Sequence, residues 1–122
     1  MIITENEFRD RFTELLTEAP DCDFVTGPGR SGAVASVYAS HFLGVPFVPY
    51  KQKPEGRFLI VDTAMQSGKT LRKASRLYDD APYVYAHHEP PRVRFWYEEL
   101  SLARGIGFEY PKSHCAKRMG RT

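Results

Sequence analysis

The sequence has little of what marks secreted disulfide-rich proteins and membrane proteins. Two cysteines, Cys22 and Cys115, are too few for a disulfide framework. No apolar run approaches the roughly 18 residues that a membrane span needs. Residues 1–7 turn acidic where a signal peptide would be basic and then apolar. These absences predict a reduced, cytoplasmic protein that has no membrane partner.

The chain is long enough for one hydrophobic core and too short for two. It has 122 residues, of which 42% are hydrophobic, and its 8 Phe and 7 Tyr exclude a disordered class. Charge is distributed unevenly, because residues 104–122 hold five basic residues against Glu109 alone, a net charge of +4. We therefore predict a domain over residues 1–103 and a basic C-terminal tail over residues 104–122.

Helical and strand patterns alternate along the chain. Thr4 and Glu7 have the spacing of a capping box, and an apolar stripe at helical spacing follows it: Phe8, Phe12, Leu15, Leu16 and Ala19. Further helices are predicted over residues 33–43 and 69–78, and strands over residues 22–26, 46–50, 57–62, 83–87 and 93–97. This alternation predicts a single α/β domain with a mostly parallel sheet of four to five strands and helices on both faces.

Two loops follow strands of this sheet, where open parallel sheets bind ligands. The first loop, residues 27–32, has three glycines that let backbone N–H groups approach an anion, and Arg30 offers a bidentate fork. Glycine-rich turns between a strand and a helix also serve plain geometry, so both interpretations stay open.

The second loop follows an apolar strand that ends at Asp62 and reaches Ser67-Gly68-Lys69-Thr70 at a helix start. Hydroxyls and N–H groups there can surround a phosphate at the helix N-terminus. A nucleotide-hydrolysing P-loop would need a glycine at position 63, which is Thr63. The pattern therefore favours phosphate binding of another kind.

Residues 59–71 resemble the PRPP-binding signature of the type I phosphoribosyltransferases, and residues 27–33 resemble that family's pyrophosphate loop. The similarity covers residues 21–88 and is closest to phage and bacterial orotate-phosphoribosyltransferase-like proteins. It implies the type I phosphoribosyltransferase-like fold with a reduced hood. It also implies an enzyme that uses PRPP and Mg²⁺ to transfer a phosphoribosyl group to a nucleobase, orotate-like or purine, and that releases pyrophosphate.

The resemblance implies a role for each matching residue. Asp62 would contact the ribose hydroxyls or the Mg²⁺, and with Arg30 and Lys51 it would serve catalysis. The PRPP-binding set that it implies is Gly29, Arg30, Ser31, Asp62, Thr63, Gln66, Ser67, Gly68, Lys69 and Thr70. Within that set, residues 29–31 would hold the pyrophosphate and residues 66–70 the 5′-phosphate.

Several departures from the family pattern favour an alternative function. Thr63 replaces the second acidic residue, Gln66 replaces an acidic loop residue, and the lid is reduced to residues 52–56. The alternative is a catalytically degenerate PRPP- or nucleotide-binding module with a regulatory role, which contacts RNA or protein. For the enzyme, a homodimer or the basic tail would replace the lid, through Arg104, Lys112, Lys117 or Arg118.

Other conspicuous residues have two interpretations each. His87, His88, His114 and Cys115 lack zinc-site spacing, whereas His87 or His88 would lie beside the crevice as a substrate contact. The aromatic residues 95–97 form either an edge strand packed on the core or a wall for a flat base.

Overall fold

The computed structural model describes residues 2–88 and 94–98. The elements in chain order are β1 (Ile2–Ile3), α1 (Glu5–Leu16), β2 (Phe24–Thr26), α2 (Gly29–Leu43), β3 (Phe58–Met65), α3 (Lys69–Leu77), β4 (Tyr83–His88) and β5 (Arg94–Phe95). Paired strands run parallel throughout this part of the chain. The predicted α/β class with parallel strands is confirmed.

The strands divide between two sheets, whereas the sequence predicts one sheet of four to five strands. A three-stranded sheet has the order β2-β3-β4, and β1 pairs with β5 in a separate two-stranded sheet. The predicted strand over residues 46–50 makes only a single bridge, between Val25 and Phe47. Pro46 and Pro49 explain this result, because neither has an N–H group to donate to a ladder.

The helices cover both faces of the three-stranded sheet, as predicted. Side chains alternate along β3, so that Leu59 and Val61 pack in one core cluster with α1 and α2. Phe58 and Ile60 point to the other side and pack in a second cluster with α3. All four side chains are at most 5% exposed, in agreement with a strand that is covered on both faces.

Helix α1 begins with the capping box that the sequence predicts. The Thr4 hydroxyl accepts a hydrogen bond from the Glu7 N–H at 3.1 Å, and the Glu7 carboxylate accepts one from the Thr4 N–H at 2.9 Å. Phe8, Phe12 and Leu16 are buried from the same face. Leu15 departs from the predicted stripe and is 40% exposed, at the edge of that face.

Replacing Thr4 with alanine is expected to lower the free energy of unfolding by about 1 kcal/mol, the usual value of an N-cap. The substitution leaves one N–H group of the first turn without its acceptor. Urea denaturation of the wild type and the variant measures the effect. Thr13→Ala is the matched control, since the Thr13 hydroxyl bonds back to the Arg9 carbonyl and caps nothing. A Thr4→Ala midpoint equal to that of Thr13→Ala would contradict the assignment.

Some sequence predictions lie outside the described residues. They concern the basic tail over residues 104–122, with His114 and Cys115, so the domain boundary at residue 103 stays a prediction. Within residues 2–88 and 94–98, no helix has the length and apolar character that a membrane crossing requires.

Candidate functional site

One cavity lies where β3 meets the first turns of α2 and α3. Its volume is about 350 Å³. Its lining comes from both loops that the sequence predicts to bind anions: Pro28, Gly29, Ser31, Asp62, Ala64, Met65, Gln66, Ser67, Gly68, Thr70 and Leu71. We call it the phosphate-loop cavity. The structure thus brings the two loops together at one edge of the sheet.

The glycines of the first loop serve two different purposes. A Cβ on Gly27 would lie 2.3 Å from the Val61 carbonyl oxygen and 2.4 Å from that of Gly32. The backbones of β2, β3 and α2 therefore meet at a distance that only glycine permits. Gly29 instead has open space around its Cβ position and a φ of +69°, and it lines the cavity. Close packing of the backbone therefore explains the glycines at positions 27 and 32. Access to the cavity explains the glycine at position 29.

Helix α2 begins at Gly29, within the loop and earlier than the predicted residue 33. Ser31 in its first turn lines the cavity and donates a hydrogen bond from its hydroxyl to Asp62 Oδ1 at 2.9 Å. Arg30 is exposed and does not line the cavity. The hydrogen bond between Ser31 and Asp62 therefore joins the first turn of α2 to β3.

The second loop is a short turn between β3 and α3. Strand β3 continues to Met65, because Ala64 and Met65 pair with His87 and His88, so the turn begins only at Gln66. Gly68 caps α3 with a φ of +83°, a conformation that favours glycine. The Ser67 hydroxyl accepts a hydrogen bond from the Lys69 N–H at 3.2 Å. Gln66, Ser67, Gly68 and Thr70 line the cavity.

Arg72 is a cation near this loop that the sequence motifs do not indicate. Its Nη1 lies 3.4 Å from the Ser67 carbonyl oxygen, and a Cβ on Gly68 would approach the same nitrogen to 2.7 Å. The spacing of one helical turn between Gly68 and Arg72 is the signal that could have found it.

Asp62 supplies the carboxylate of the phosphate-loop cavity. Its side chain is 7% exposed, and Oδ1 accepts hydrogen bonds from the Ser31 hydroxyl and from the Thr63 N–H at 2.8 Å. Burial raises the pKa of Asp62 to about 6, against the lowering effect of these two hydrogen bonds. Both bonds end on Oδ1, which leaves Oδ2 to accept from a ligand hydroxyl or a metal-bound water.

Thr63 does not line the cavity. Its side chain is 1% exposed, and its hydroxyl lies 3.1 Å from the Tyr97 hydroxyl. Burial raises the pKa of Tyr97, so this phenol stays protonated at neutral pH. The Thr63 side chain therefore makes a hydrogen bond inside the protein. The resemblance implies instead that this residue contacts PRPP, which stays a prediction.

The contacts of the aromatic residues 95–97 decide between the two interpretations that the sequence allows for them. Phe95 and Trp96 pack against Phe8, with ring centroids 6.3 Å and 5.6 Å away. Phe95 is buried, and β5 pairs with β1. The strand predicted over residues 93–97 is shorter than expected, because only Arg94–Phe95 forms a strand and residues 96–98 are helical. The contacts of Phe95 and Trp96 nevertheless favour packing on the core over a wall for a flat base.

A second cavity adjoins the first and holds the remaining predicted cations. It has a volume of about 940 Å³ and is lined by Pro28, Tyr50, Lys51, Lys69, Thr70, Lys73, Arg76 and Leu77. We call it the basic cavity. Lys51 and Lys69, predicted to contact PRPP, line this cavity instead of the phosphate-loop cavity. No motif in the sequence singles out Lys73 and Arg76, although they follow Lys69 at helical spacing.

His87 and His88 do not line either cavity. The His87 ring packs against Phe95 with centroids 5.7 Å apart, and burial lowers its pKa. His88 lies near the Tyr85 ring at the end of β4. Neither histidine is placed as a contact to a ligand in the phosphate-loop cavity.

Comparison with known proteins identifies the fold. The sequence matches no protein-family model and no curated protein significantly. The Helicobacter pylori xanthine-guanine-hypoxanthine phosphoribosyltransferase superposes with a TM-score of 0.63 at 13% identity, over 85% of this chain and 96% of that one. The Pyrococcus horikoshii purine phosphoribosyltransferase gives 0.62 at 18% identity, over 80% and 92%.

A third solved structure of this fold contains a nucleotide. A hypothetical protein from Neisseria gonorrhoeae with bound ppGpp superposes with a TM-score of 0.62 at 13% identity, over 85% of this chain and 93% of that one. None of these three proteins is described as an orotate enzyme, so the expected closeness to orotate enzymes stays a prediction. The chain has the fold of the type I phosphoribosyltransferases.

Proposed function

We propose that this protein transfers a phosphoribosyl group from PRPP to a nucleobase. In this reaction the bond from C1′ to a pyrophosphate oxygen breaks and a bond from C1′ to a base nitrogen forms. The observation that carries the proposal is the phosphate-loop cavity, in which the Asp62 carboxylate and loop residues 66–68 and 70 face one space on a phosphoribosyltransferase fold.

The residues of the cavity suit the parts of PRPP. Ser67 and Thr70 have hydroxyls at the N-terminus of α3, where the helix dipole and free N–H groups favour a phosphate. Gly29 and Ser31 occupy the corresponding end of α2 and would receive the pyrophosphate. Asp62 Oδ2 would accept hydrogen bonds from the ribose hydroxyls. The chain contributes chiefly positioning and charge, which a dissociative group transfer requires.

Magnesium fits this arrangement as a partner of the substrate. In proteins Mg²⁺ is bound by one or two carboxylates together with substrate phosphates. Asp62 supplies one carboxylate, while residues 2–88 and 94–98 contain no cluster of three metal-ligating side chains. When bound with PRPP, the ion would neutralise charge on the departing pyrophosphate, and Asp62 would hold its water shell.

A second candidate is a module that binds PRPP or a nucleotide without transferring it. The observation that favours it is the lack of a second carboxylate beside Asp62, because the next residue is Thr63 and its side chain is turned to Tyr97. Among the described residues that line the cavity, Asp62 is the only one with a carboxylate. A protein of this fold that carries bound ppGpp shows that the fold accommodates a nucleotide. RNA or another protein would be the partner of such a module.

Calorimetry with PRPP and Mg²⁺ tests the proposed binding site. The Ser67→Ala/Thr70→Ala variant removes two hydroxyls from the loop, and we expect its affinity for PRPP to fall about tenfold. Thr13→Ala/Thr17→Ala is the matched control, because it removes two hydroxyls from α1, whose bonds stay within that helix. Equal affinities of the two variants would rule out this site.

Release of pyrophosphate separates the two candidate functions. The wild-type protein is incubated with PRPP, Mg²⁺ and, in turn, adenine, guanine, hypoxanthine and orotate. Release that depends on one of these bases supports the transferase. PRPP binding without release for any of the four favours the module.

A further inference from the structure

Lys51 has a backbone conformation that residues other than glycine rarely adopt. Its φ is +84°, and it stands third in the turn over residues 49–52, in which the Pro49 carbonyl accepts a hydrogen bond from the Gln52 N–H at 3.0 Å. A turn with a positive φ at its third position normally has glycine or asparagine there. A lysine at this position costs stability, so the surrounding structure must hold it.

The Tyr78 hydroxyl holds this turn. It accepts a hydrogen bond from the Lys51 N–H and donates one to the Gln52 carbonyl, each at 2.7 Å. Tyr78 follows the last turn of α3 and is 3% exposed, and its ring packs against that of Phe58 with centroids 4.5 Å apart. The hydroxyl therefore has a fixed position, and its two hydrogen bonds span the strained residue.

The strained residue lies beside the phosphate-loop cavity. Lys51 lines the basic cavity together with Pro28 and Thr70, and these two residues also line the phosphate-loop cavity. Pro28 directly precedes Gly29, where the pyrophosphate would bind. Within residues 2–88 and 94–98, no ion pair with a carboxylate includes Lys51, so its charge is available to an anionic ligand.

We propose that Tyr78 is a positioning residue, whose hydroxyl holds Lys51 in the left-handed conformation that places its ammonium group beside the pyrophosphate of PRPP. The proposal rests on the proposed function, which supplies PRPP as the ligand. Strained residues persist where the surrounding structure determines their conformation, and they cluster at ligand sites. Negative charge develops on the departing pyrophosphate, and a cation that is already in place stabilises it without reorganisation. Tyr78 acts through Lys51 and touches no ligand itself.

Calorimetry with PRPP and Mg²⁺, and in parallel with ribose 5-phosphate, tests the proposal. Lys51→Ala removes the cation, and we expect the affinity for PRPP to fall about tenfold, because a charged contact with the pyrophosphate is lost. Tyr78→Phe keeps the ring and removes only the hydroxyl, so we expect a fall of about fivefold. Ribose 5-phosphate lacks the pyrophosphate, and its affinity should stay within about twofold in both variants.

The double variant tests whether Tyr78 acts through Lys51. If it does, Lys51→Ala/Tyr78→Phe binds PRPP no more weakly than Lys51→Ala alone. Additive losses, or a Tyr78→Phe variant that weakens PRPP and ribose 5-phosphate alike, would mean a general structural role and would overturn the proposal.

Tyr38→Phe is the matched control for Tyr78→Phe. It also removes a hydroxyl that makes a hydrogen bond, in this case to the Glu5 carboxylate, and Tyr38 lines neither cavity. Its affinity for PRPP should equal that of the wild type. Equal losses of affinity in the two variants would also overturn the proposal.

Two variants at position 51 test the strain without a ligand. Lys51→Gly and Lys51→Ala both remove the ammonium group, but only glycine adopts a positive φ without steric cost. We expect Lys51→Gly to unfold at a higher urea concentration than Lys51→Ala, while both lose affinity for PRPP to the same extent. Equal midpoints would mean that the turn does not hold position 51 under strain, and the proposal would be wrong.

The outcomes separate this proposal from the function on which it rests. If PRPP binds through Ser67 and Thr70 but Lys51→Ala binds it as tightly as the wild type, the positioning role is wrong and the phosphate loop stands. If the wild type binds neither PRPP nor ribose 5-phosphate, the proposed function and the positioning role are both wrong.

Discussion

Gly27→Ala is expected to destabilise the protein by on the order of 4 kcal/mol, more than an ordinary overpacking change. The added Cβ would lie 2.3 Å from the Val61 carbonyl oxygen and 2.4 Å from the Gly32 carbonyl oxygen. Both obstacles are backbone atoms, so no side-chain rotation relieves the overlap. The loop must move away from β3, which also separates Ser31 from Asp62. Urea denaturation measures the loss of stability.

Gly29→Ala is the control for this prediction. Gly29 has a φ of +69° but open space at its Cβ position, so alanine there meets only the cost of a left-handed conformation, about 1 kcal/mol. The two variants make the same chemical change two residues apart in one loop. If Gly27→Ala cost no more than Gly29→Ala, close backbone packing would not be the reason for glycine at position 27.

The position of the loop over residues 66–70 beside Asp62 could be predicted from the sequence because its signals are local. The apolar strand, Asp62, the loop and the helix start are contiguous over residues 58–70. The meeting of this loop with residues 27–32 follows from the rule that parallel strands end at the same edge of a sheet. The contact of Ser31 with Asp62 is an instance of that rule.

The hydrogen-bond partner of Thr63 could not be predicted from local sequence. The partner of its hydroxyl is Tyr97, 34 positions along the chain, and that contact requires β5 to lie beside β1. Two-residue strands have no periodicity that a sequence pattern can show. Tertiary packing therefore decides which way Thr63 points.

The face of α3 that carries the cations could be predicted from the sequence. Leu71, Ala74 and Tyr78 have helical spacing and are buried against the sheet. Residues 69, 73 and 76 then face away from that core, and Lys69 lines the basic cavity while Thr70 lines both cavities. The motif assigns Lys69 to the phosphate, whereas the helix face places it in the lining of the basic cavity; its contact with PRPP stays a prediction.

Asp62→Asn is expected to stabilise the protein, by about 3 kcal/mol more at pH 7 than at pH 4. Burial raises the pKa of Asp62 to about 6 in the folded protein, above its ordinary value of 3.8. The folded state therefore binds a proton more tightly than the unfolded state, and the stability of the wild type falls as the pH rises from about 4 to 6. Asparagine keeps an oxygen acceptor for Ser31 and Thr63 and carries no charge, so it avoids this loss.

Urea denaturation of both proteins at pH 4 and pH 7 measures the difference, and Asp23→Asn provides a control of opposite sign. Hydrogen bonds from Arg57 lower the pKa of Asp23, so its charged form stabilises the fold and this contribution is lost as the pH falls. Asp23→Asn should therefore lose stability at pH 7 relative to the wild type. If the effect of Asp62→Asn on stability did not depend on pH, burial would not raise the pKa of this carboxyl group, and the prediction would be wrong. A charge maintained at such a cost is typical of a group that a ligand uses.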